Sequence, residues 1–419
     1  MENEYQTRDD CRLCLSKDLV EAVRLTPTPP ANEFMSAGTG GEIEAQEEFP
    51  LYLVYCGRCG HVQLPVVVDP ERLFRNYVYV SGTSPVFVDH FRRYADEMIR
   101  QLELIPGDLV VEIGSNDGTL LKFFRDAGMR VLGVDPAKDI AARATADGVE
   151  TLPEFFTPEV AQKIVRERGH AMLVVANNVF AHADDLRGIA DGVKILMNGR
   201  GVFTFEVSYL PDVLEKTLFD TVYHEHLSYH SVGPLVRFFE SCGMTLRDAQ
   251  RIDTHGGSLR GTAVGRRDTI VSKNVTDLIA YENAMGLPPD GNGRVPFDVF
   301  NQRILVQRDA LRKFLAQARA DGKRVAGFGA PAKATTLMYQ FGLGPSDLEF
   351  IVDDSPLKQG LFTPGKHVPV LPSSAIRELK PDYLVILAWN FADSIVAKNQ
   401  AFRDAGGKFV VPIPEFRVV

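Results

Sequence analysis

Short apolar runs alternate with amphipathic stretches through the middle of the chain. A helical pattern from Phe87 to Leu104 leads into the apolar run Asp108–Gly114. Further strand-like runs follow at Val131–Asp135, Ala171–Ala176 and Gly201–Phe205, with helical patterns between them. Alternation of this kind predicts a parallel, doubly wound α/β sheet of Rossmann-like form.

The same alternation restarts after a boundary rich in glycine and proline, Gly286 to Pro296. A long helical stretch follows from Phe297 to Ala320. The second set of strand-like runs comprises Lys323–Gly329, Leu348–Asp353, Tyr383–Leu387 and Lys408–Val411. The chain therefore predicts a second, smaller Rossmann-like α/β unit, and two nucleotide-style sheets imply two ligands.

The N-terminal region has a different pattern, with two CxxC pairs, Cys11/Cys14 and Cys56/Cys59, around short strands such as Tyr52–Tyr55. Two turns of this spacing can present four thiolates to one tetrahedral zinc ion. A redox dithiol would need only one pair, and disulfides would suit a small secreted chain. Four sulfur ligands leave no open position, so we predict a structural zinc rather than a catalytic one.

These patterns predict three domains. They are a zinc-binding domain at residues 1–70, a Rossmann-like α/β domain at 71–296 and a smaller C-terminal α/β domain at 297–419. A length of 419 residues agrees with several domains, and the net charge of −9 argues against nucleic acid as a partner. The start of the chain lacks the features of a signal or transit peptide, and no apolar run is long enough for a bilayer. We therefore expect a cytoplasmic protein with no membrane partner; its oligomeric state stays open, and a monomer is compatible with the sequence.

The first sheet carries a glycine-containing turn after its first strand, Gly114-Ser-Asn-Asp-Gly118, and Asp135 ends the next strand. The GxGxxG spacing for a pyrophosphate is absent, and the acidic side chains near the turn would repel phosphates. An adenosine ligand without phosphate, S-adenosylmethionine (SAM), is the better candidate, although a turn that binds nothing is the alternative. The predicted SAM-binding residues are Glu112, Gly114, Asn116, Asp117, Gly118, Asp135, Asn177 and Asn178.

A cluster of titratable side chains, Tyr223-His224-Glu225-His226, follows Phe219-Asp220. A histidine is the usual general base at neutral pH, and a neighbouring carboxylate can orient it. Two alternatives stay open, a metal held by His224 and His226 or a solvated loop. His182 lies beyond the strand Ala171–Ala176, where an open α/β sheet places its ligand crevice.

Two further turns are polar and rich in glycine. Thr254–Arg260 could be a tight structural turn or an anion cradle. Gly327–Thr336 joins a strand to a helix that carries Lys333, which suits a phosphate, and Asp353 ends the next strand. A purely structural turn is the alternative for this second site.

Together these motifs resemble the SAM-dependent sugar C-methyltransferases of deoxysugar pathways, which place a methyl branch on a nucleotide-linked ketosugar. The resemblance is nearly full length. One departure is Ser208 after Glu206-Val207, where relatives often carry proline. The motifs that carry the resemblance are the four cysteines, Asn76-Tyr-Val-Tyr79, Glu112–Gly118, Asn177–His182, Phe219–His226, Thr254–Arg260 and Gly327–Lys333.

The resemblance implies that SAM methylates the carbon next to the keto group of an NDP-4-keto-deoxysugar, usually TDP-linked, at C-3 in preference to C-5. His226 is the expected base, oriented by Glu225, and Tyr223 and His182 are expected donors to the enolate oxygen. Alternatives are an O- or N-methyltransferase, a nucleotide-dependent oxidoreductase and a zinc-dependent scaffold. The residues expected to line the reaction centre are Tyr77, His182, Tyr223, Glu225 and His226. The expected substrate-binding residues are Tyr79, His255, Gly329, Ala330, Lys333 and Asp353.

Overall fold

The structure is a computed structural model that describes residues 5–38, 42–74, 82, 85–254, 256–265, 269–287 and 293–419. Three predicted site residues, Tyr77, Tyr79 and His255, lie outside the described residues. None of the helices in the described part of the chain combines the length and apolar character that crossing a bilayer requires.

The N-terminal region is built from strands that bracket the cysteine turns. Strand β3 pairs antiparallel with β2 and with β4, while β1 pairs antiparallel with β5. The elements are β1 (Tyr5–Thr7), β2 (Leu19–Thr28), β3 (Phe49–Cys56), β4 (Val62–Gln63), β5 (Val66–Val68) and α1 (Pro70–Phe74).

The middle region contains the first predicted α/β sheet. Its helices are α2 (Pro85–Gln101), α3 (Thr119–Asp126), α4 (Lys138–Ala146), α5 (Pro158–Arg168), α6 (Leu186–Leu196), α7 (Leu210–Glu215), α8 (Val232–Ser241) and α9 (Lys273–Ala284). Its strands are β6 (Leu109–Ile113), β7 (Arg130–Val134), β8 (Thr151–Leu152), β9 (Ala171–Asn177), β10 (Met197–Ser208), β11 (Ser228–Tyr229), β12 (Thr245–Ile252) and β13 (Ser258–Val264).

Seven of these strands form one sheet in the order β12-β13-β10-β9-β6-β7-β8. The five strands from β10 to β8 are parallel, as predicted, whereas β13 runs antiparallel to β10 and to β12. Successive residues of β6 face opposite sides: Val110 packs in one apolar core and Val111 in the other. Because both faces are covered by helices, the central strands are apolar throughout. The antiparallel edge was not predicted.

The C-terminal region forms a six-stranded sheet in the order β16-β15-β14-β17-β18-β19, with only β19 antiparallel. Its strands are β14 (Val325–Phe328), β15 (Ile351–Val352), β16 (Val370–Leu371), β17 (Tyr383–Ile386), β18 (Lys408–Val411) and β19 (Arg417–Val418). Its helices are α10 (Val295–Ala320), α11 (Ala332–Phe341), α12 (Ala375–Leu379), α13 (Ala392–Lys398) and α14 (Gln400–Asp404).

Two contacts join the regions around the segment 219–226. Strand β11 adds to the N-terminal sheet by pairing antiparallel with β4. One apolar cluster contains side chains of β2 and β3, of the segment from Leu210 to Val222, and of the C-terminal sheet. The segment that carries the predicted base is therefore enclosed by residues from all three regions, while the domain boundaries themselves stay a prediction.

Candidate active site and metal centre

The four cysteines of the two CxxC pairs come together at the N-terminal sheet. Their sulfur atoms all lie within 4.8 Å of one another. The Cys11 and Cys59 sulfurs are 3.5 Å apart and those of Cys14 and Cys56 are 3.6 Å apart. Zn–S bonds of 2.3 Å at tetrahedral angles give S–S separations of about 3.8 Å, whereas a disulfide requires about 2.05 Å. The arrangement therefore fits a zinc ion with four sulfur ligands, and no ligand position remains for a substrate.

The turn after β6 is shaped by backbone conformations that favour glycine. Gly114 has φ +67°, and an added Cβ would lie 2.2 Å from the Val179 side chain. The Asp135 carboxylate, at the end of β7, accepts hydrogen bonds from the Asn116 amide at 2.8 Å and the Ala137 amide at 2.9 Å. Burial raises the pKa of Asp135. Asp135 thus fastens the turn to the neighbouring strand, a role that the sequence did not predict.

Polar atoms beside this turn are buried without a hydrogen-bond partner among the described residues. They include Glu112 Oε2 and Ser115 Oγ. Burial and the nearby carboxylates of Asp117 and Asp135 raise the pKa of Glu112. Asp117 Oδ1 accepts from the amide and the hydroxyl of Thr119, the first residue of α3, at 3.2 and 2.7 Å. Such unmatched polar atoms fit an amine, hydroxyl or water partner at this position, as a SAM site requires.

His226 is held in one tautomer by the backbone. Its Nδ1–H donates to the Thr221 carbonyl at 2.7 Å, which leaves Nε2 as the basic nitrogen. Burial lowers the pKa of His226 to about 4, so the ring is neutral at pH 7. The rings of Tyr223 and His182 lie against it, with centroid distances of 4.0 and 4.9 Å. The structure therefore brings three of the predicted reaction-centre residues together.

His182 reaches this group from the loop after β9. Its ring is stacked on His226 and on Phe74, whose centroid is 5.9 Å away. Burial, together with the nearby His226, lowers the pKa of His182 well below its ordinary value. A neutral imidazole in such a position can donate an N–H without carrying charge.

His224 points away from His226. Its Nε2 lies 3.2 Å from the Pro50 carbonyl, and its ring packs edge-on against Phe49. In the described part of the chain, the four cysteines form the one group of three or more candidate ligands that could hold a metal ion. His224 and His226 bond different backbone carbonyls, which gives no support to a metal held by both. The solvated loop is wrong, because His224 and Glu225 are buried.

Glu225 makes a contact that the sequence did not reveal. Its Oε1 accepts a hydrogen bond from Asn32 Nδ2 at 2.7 Å, across 193 residues of sequence. The Thr221 carbonyl orients His226 at Nδ1. The segment from Tyr223 to His226 is a turn, closed by the His226 amide donating to the Tyr223 carbonyl at 2.8 Å. The role of Glu225 in orienting His226 stays a prediction.

The turn after β14 is fastened in the same way as the turn after β6. Gly329 has φ +83° and its amide donates to the Val352 carbonyl at 2.7 Å. Asp353 Oδ2 accepts from the Ala330 amide at 2.6 Å. Lys358, which the sequence did not single out, donates to the Ala330 carbonyl at 2.7 Å.

Lys333 points from this turn towards the middle region. Its Nζ donates to Asn390 Oδ1 at 2.6 Å and lies 3.9 Å from the Trp389 ring centroid. The Trp389 indole N–H donates to Asp220 at 2.5 Å. Burial lowers the pKa of Lys333 to about 8 and raises that of Asp220 to about 6, while each charge opposes the shift of the other. Lys333 therefore has an anionic neighbour within the protein, Asp220. A phosphate bound here would share the positive charge of Lys333 with that carboxylate.

The turn Thr254–Arg260 ends in a structural ion cluster. The Arg260 guanidinium binds Glu206 and Glu97, each at 2.7 Å, and lies over the Tyr94 ring. His90 binds the other oxygen of Glu206 at 2.9 Å. Because both carboxylates neutralise Arg260, the structural alternative for this residue is favoured over an anion cradle.

Family models cover most of the chain in three segments. A C-methyltransferase C-terminal domain model matches residues 253–414, a zinc binding domain model matches 11–74, and a methyltransferase domain model matches 88–249. These descriptions agree with the cysteine cluster and with the two α/β sheets described above.

A relative that matches the full length of the chain is also named a C-methyltransferase. The C-methyltransferase NovU of Streptomyces niveus is 38% identical over 422 residues, which cover 100% of this chain and 99% of NovU. Two solved structures are similar to part of the chain. Magnesium protoporphyrin IX methyltransferase (ChlM) from Synechocystis PCC 6803 with bound SAM is 15% identical, covering 43% of this chain and 81% of that protein with a TM-score of 0.32. The YcgJ protein from Bacillus subtilis is 14% identical, covering 42% of this chain and 99% of that protein with a TM-score of 0.34.

The first Rossmann-like sheet lies in the segment that the methyltransferase domain model matches, and the cysteine cluster lies in the segment that the zinc binding domain model matches. The chain belongs to the C-methyltransferase family of NovU and is a SAM-dependent C-methyltransferase.

Proposed function

We propose that this enzyme methylates the carbon next to the keto group of an NDP-4-keto-deoxysugar. TDP is the proposed nucleotide and C-3 the proposed position, with C-5 as the alternative. The proposal rests on the resemblance to sugar C-methyltransferases. Its main structural support is the tautomer of His226, whose Nδ1–H is used by the Thr221 carbonyl so that the basic Nε2 is available.

The carbon next to a carbonyl is acidic because its conjugate base is an enolate. His226 Nε2 accepts the proton, the C–H electron pair becomes the enolate, and negative charge develops on the carbonyl oxygen. The low pKa of His226, about 4, keeps the ring neutral and ready at pH 7. The enolate formed beside it then favours the protonated ring, because an adjacent opposite charge raises a histidine pKa.

The developing charge on oxygen needs hydrogen-bond donors. Tyr223 and His182 contact the His226 ring and are the proposed donors, since preorganised donors stabilise charge as it forms. A neutral His182 suits this role because its N–H can donate without first binding a proton. When bound, SAM supplies an electrophilic methyl group. The proposed cofactor contacts are those predicted around Gly114 and Asp135, and the proposed nucleotide contacts lie around Gly329, Ala330 and Asp353.

The test is proton exchange without a methyl donor. In D₂O with a TDP-4-ketosugar and S-adenosylhomocysteine, we expect the wild-type enzyme to exchange deuterium at the carbon that is later methylated. His226→Asn removes the base, so exchange and methylation should fall together by about 10²-fold or more. Tyr223→Phe should slow both less, because the base remains.

His224→Asn is the matched control, because it lies in the same segment but contacts Pro50 away from the reaction centre. It should leave both rates largely unchanged. A fully active His226→Asn would move the base elsewhere, with His182 as the next candidate. Methylation of a hydroxyl or amine with retention of both alpha protons would identify an O- or N-methyltransferase.

A further inference from the structure

The first cysteine turn touches the two segments that carry the paired histidines. Arg12 lies between Cys11 and Cys14, and its side chain has no exposed surface. Its Nη1 donates to the carbonyls of Leu64 at 2.7 Å and Leu227 at 3.2 Å. Its Nε donates to the Asp184 carboxylate at 3.0 Å. One guanidinium therefore links the cysteine turn to two distant segments.

Both distant contacts are adjacent in sequence to the histidine pair. Leu227 follows His226 directly, and Asp184 follows His182 by two residues. A backbone hydrogen bond also joins these segments, from the Ser228 amide to the Ala181 carbonyl at 3.0 Å. The two segments that carry these histidine rings, whose centroids are 4.9 Å apart, are thus joined by a backbone hydrogen bond and by a shared guanidinium.

The cost of burying Arg12 makes its placement informative. A buried cation is stabilised only when its geometry and hydrogen bonds are good, and Arg12 has the Asp184 carboxylate and two backbone carbonyls as acceptors. The planar guanidinium can direct donors to Leu227 and Asp184 at once, whereas a lysine ammonium offers a single point of charge. The Arg12 backbone is itself fixed, because its amide donates to Gln63 Oε1 at 2.8 Å.

We propose that Arg12 is a positioning residue that sets the relative placement of His182 and His226, so that the zinc-binding turn forms part of the catalytic architecture. This inference rests on the proposed roles of the two histidines. The donor set of Cys11 and Cys14 on either side of Arg12 fits a metal that would hold the arginine backbone in place. A displacement of about 1 Å between base and donor would be enough to slow proton abstraction strongly.

The test compares two arginines that contact the zinc-binding turns. Arg12→Lys keeps the charge but loses the planar fork. Arg237→Lys is the matched control, because Arg237 Nη2 donates to the Cys59 carbonyl at 2.7 Å from helix α8 and bonds neither histidine segment. Zinc content, SAM affinity by calorimetry, kcat, KM and deuterium exchange are measured on full-length, zinc-loaded protein.

For Arg12→Lys we expect one zinc per chain, unchanged SAM affinity and a nearly unchanged KM, with kcat and exchange both reduced by about 10- to 100-fold. Arg237→Lys should stay within about twofold of wild type in every measurement. Asp184→Asn provides a second variant for the case in which Arg12→Lys does not fold, because its carboxylate is partly exposed. Asp184→Asn should also lower kcat. In the double variant with Arg12→Lys, the loss of kcat should be smaller than the two single losses combined.

Two results would overturn the proposal. One is a zinc-loaded Arg12→Lys with wild-type kcat. The other is an Arg12→Lys that loses zinc or fails to fold while Asp184→Asn keeps wild-type kcat, because Arg12 would then only support the turn. Failure of the proposed base has a different signature: His226→Asn stays active, whatever the effect of Arg12→Lys.

Discussion

At the scale of single residues, Asp135 combines a structural and a proposed ligand-binding role. Its two oxygens hold the Asn116 and Ala137 amides, and each oxygen retains a lone pair for another donor. The ribose hydroxyls of SAM are the proposed donors. Removing the carboxylate therefore removes the proposed ligand contact and releases the turn that carries it.

We expect Asp135→Ala to weaken SAM binding by about 1.5–3 kcal/mol, the range for hydrogen bonds to a charged group. Isothermal titration calorimetry gives the affinity. Asp139→Ala, an exposed carboxylate on α4, is the control and should bind SAM normally. Wild-type affinity in Asp135→Ala would show that the adenosine binds elsewhere.

His230 is a residue whose burial should make the protein sensitive to acid. Neither ring nitrogen has a hydrogen-bond partner among the described residues, and the ring is stacked on Phe180. Burial lowers the pKa of His230 to about 3. Its unfolded pKa is about 6.5, so between these values the unfolded chain binds the extra proton and stability falls as pH falls.

His230→Phe removes this proton and loses no hydrogen bond from the ring. When the pH is lowered from 7 to 5, wild type should lose about 2 kcal/mol of stability that the variant keeps, at 1.36 kcal/mol per pH unit below 6.5. The difference in free energy of unfolding between variant and wild type should therefore increase by about 2 kcal/mol in favour of the variant. Urea unfolding of both proteins at both pH values measures the difference, in which the contributions of other titrating groups cancel. A difference that does not change with pH would contradict the prediction.

At the scale of elements, helix α8 is capped by a residue of another helix. Ser231 precedes α8 but makes no side-chain cap bond. Glu282 of α9 accepts from the Val232 amide at 2.6 Å and the Gly233 amide at 2.9 Å, and from the Tyr209 hydroxyl at 2.9 Å. These amides are among the helix donors that have no partner within α8.

Glu282→Gln keeps the shape but removes the negative charge and one acceptor. We expect a loss of about 1–3 kcal/mol in the free energy of unfolding, measured with urea at pH 7. Glu240→Gln, at the exposed far end of α8, should change it by less than about 0.5 kcal/mol. Equal effects of the two substitutions would contradict a capping role for Glu282.

At the scale of the whole molecule, the zinc-binding region and the C-terminal region both hold the segment 219–226. Asn32 binds Glu225 from the N-terminal side, and Thr336 of α11 donates to the Val222 carbonyl at 2.7 Å from the C-terminal side. Loss of order in the zinc-binding region should therefore disturb the reaction centre as well as the zinc-binding region itself.

Cys56→Ser removes one thiolate of the four. Elemental analysis should find about one zinc per wild-type chain, and the variant should lose zinc, folding yield and methyl transfer together. Cys242→Ser is the control, because Cys242 is buried outside the cluster. This variant should keep its zinc. A second tightly bound metal that His226→Asn removes would contradict the role of His226 as a base.

The sequence by itself determined the features that depend on local pattern. Two CxxC pairs predicted the four-sulfur site, and apolar runs separated by helical stretches predicted both parallel sheets. Polar residues after those runs were predicted to line crevices, because parallel strands end at the same edge of a sheet. The antiparallel hairpin of β12 and β13 was not predicted, since its strands show no such apolar run.

Only the tertiary structure decided which neighbours each polar side chain meets. His224 and His226 are two residues apart, yet one contacts Pro50 and the other Thr221 and His182. Arg12 reaches Asp184 across 172 residues. Contacts between residues so distant in sequence leave no periodic signal, because they arise where three separately patterned regions pack together. The burial that lowers the pKa of the proposed base is a consequence of that packing, whereas its tautomer is set by Thr221 within the same segment.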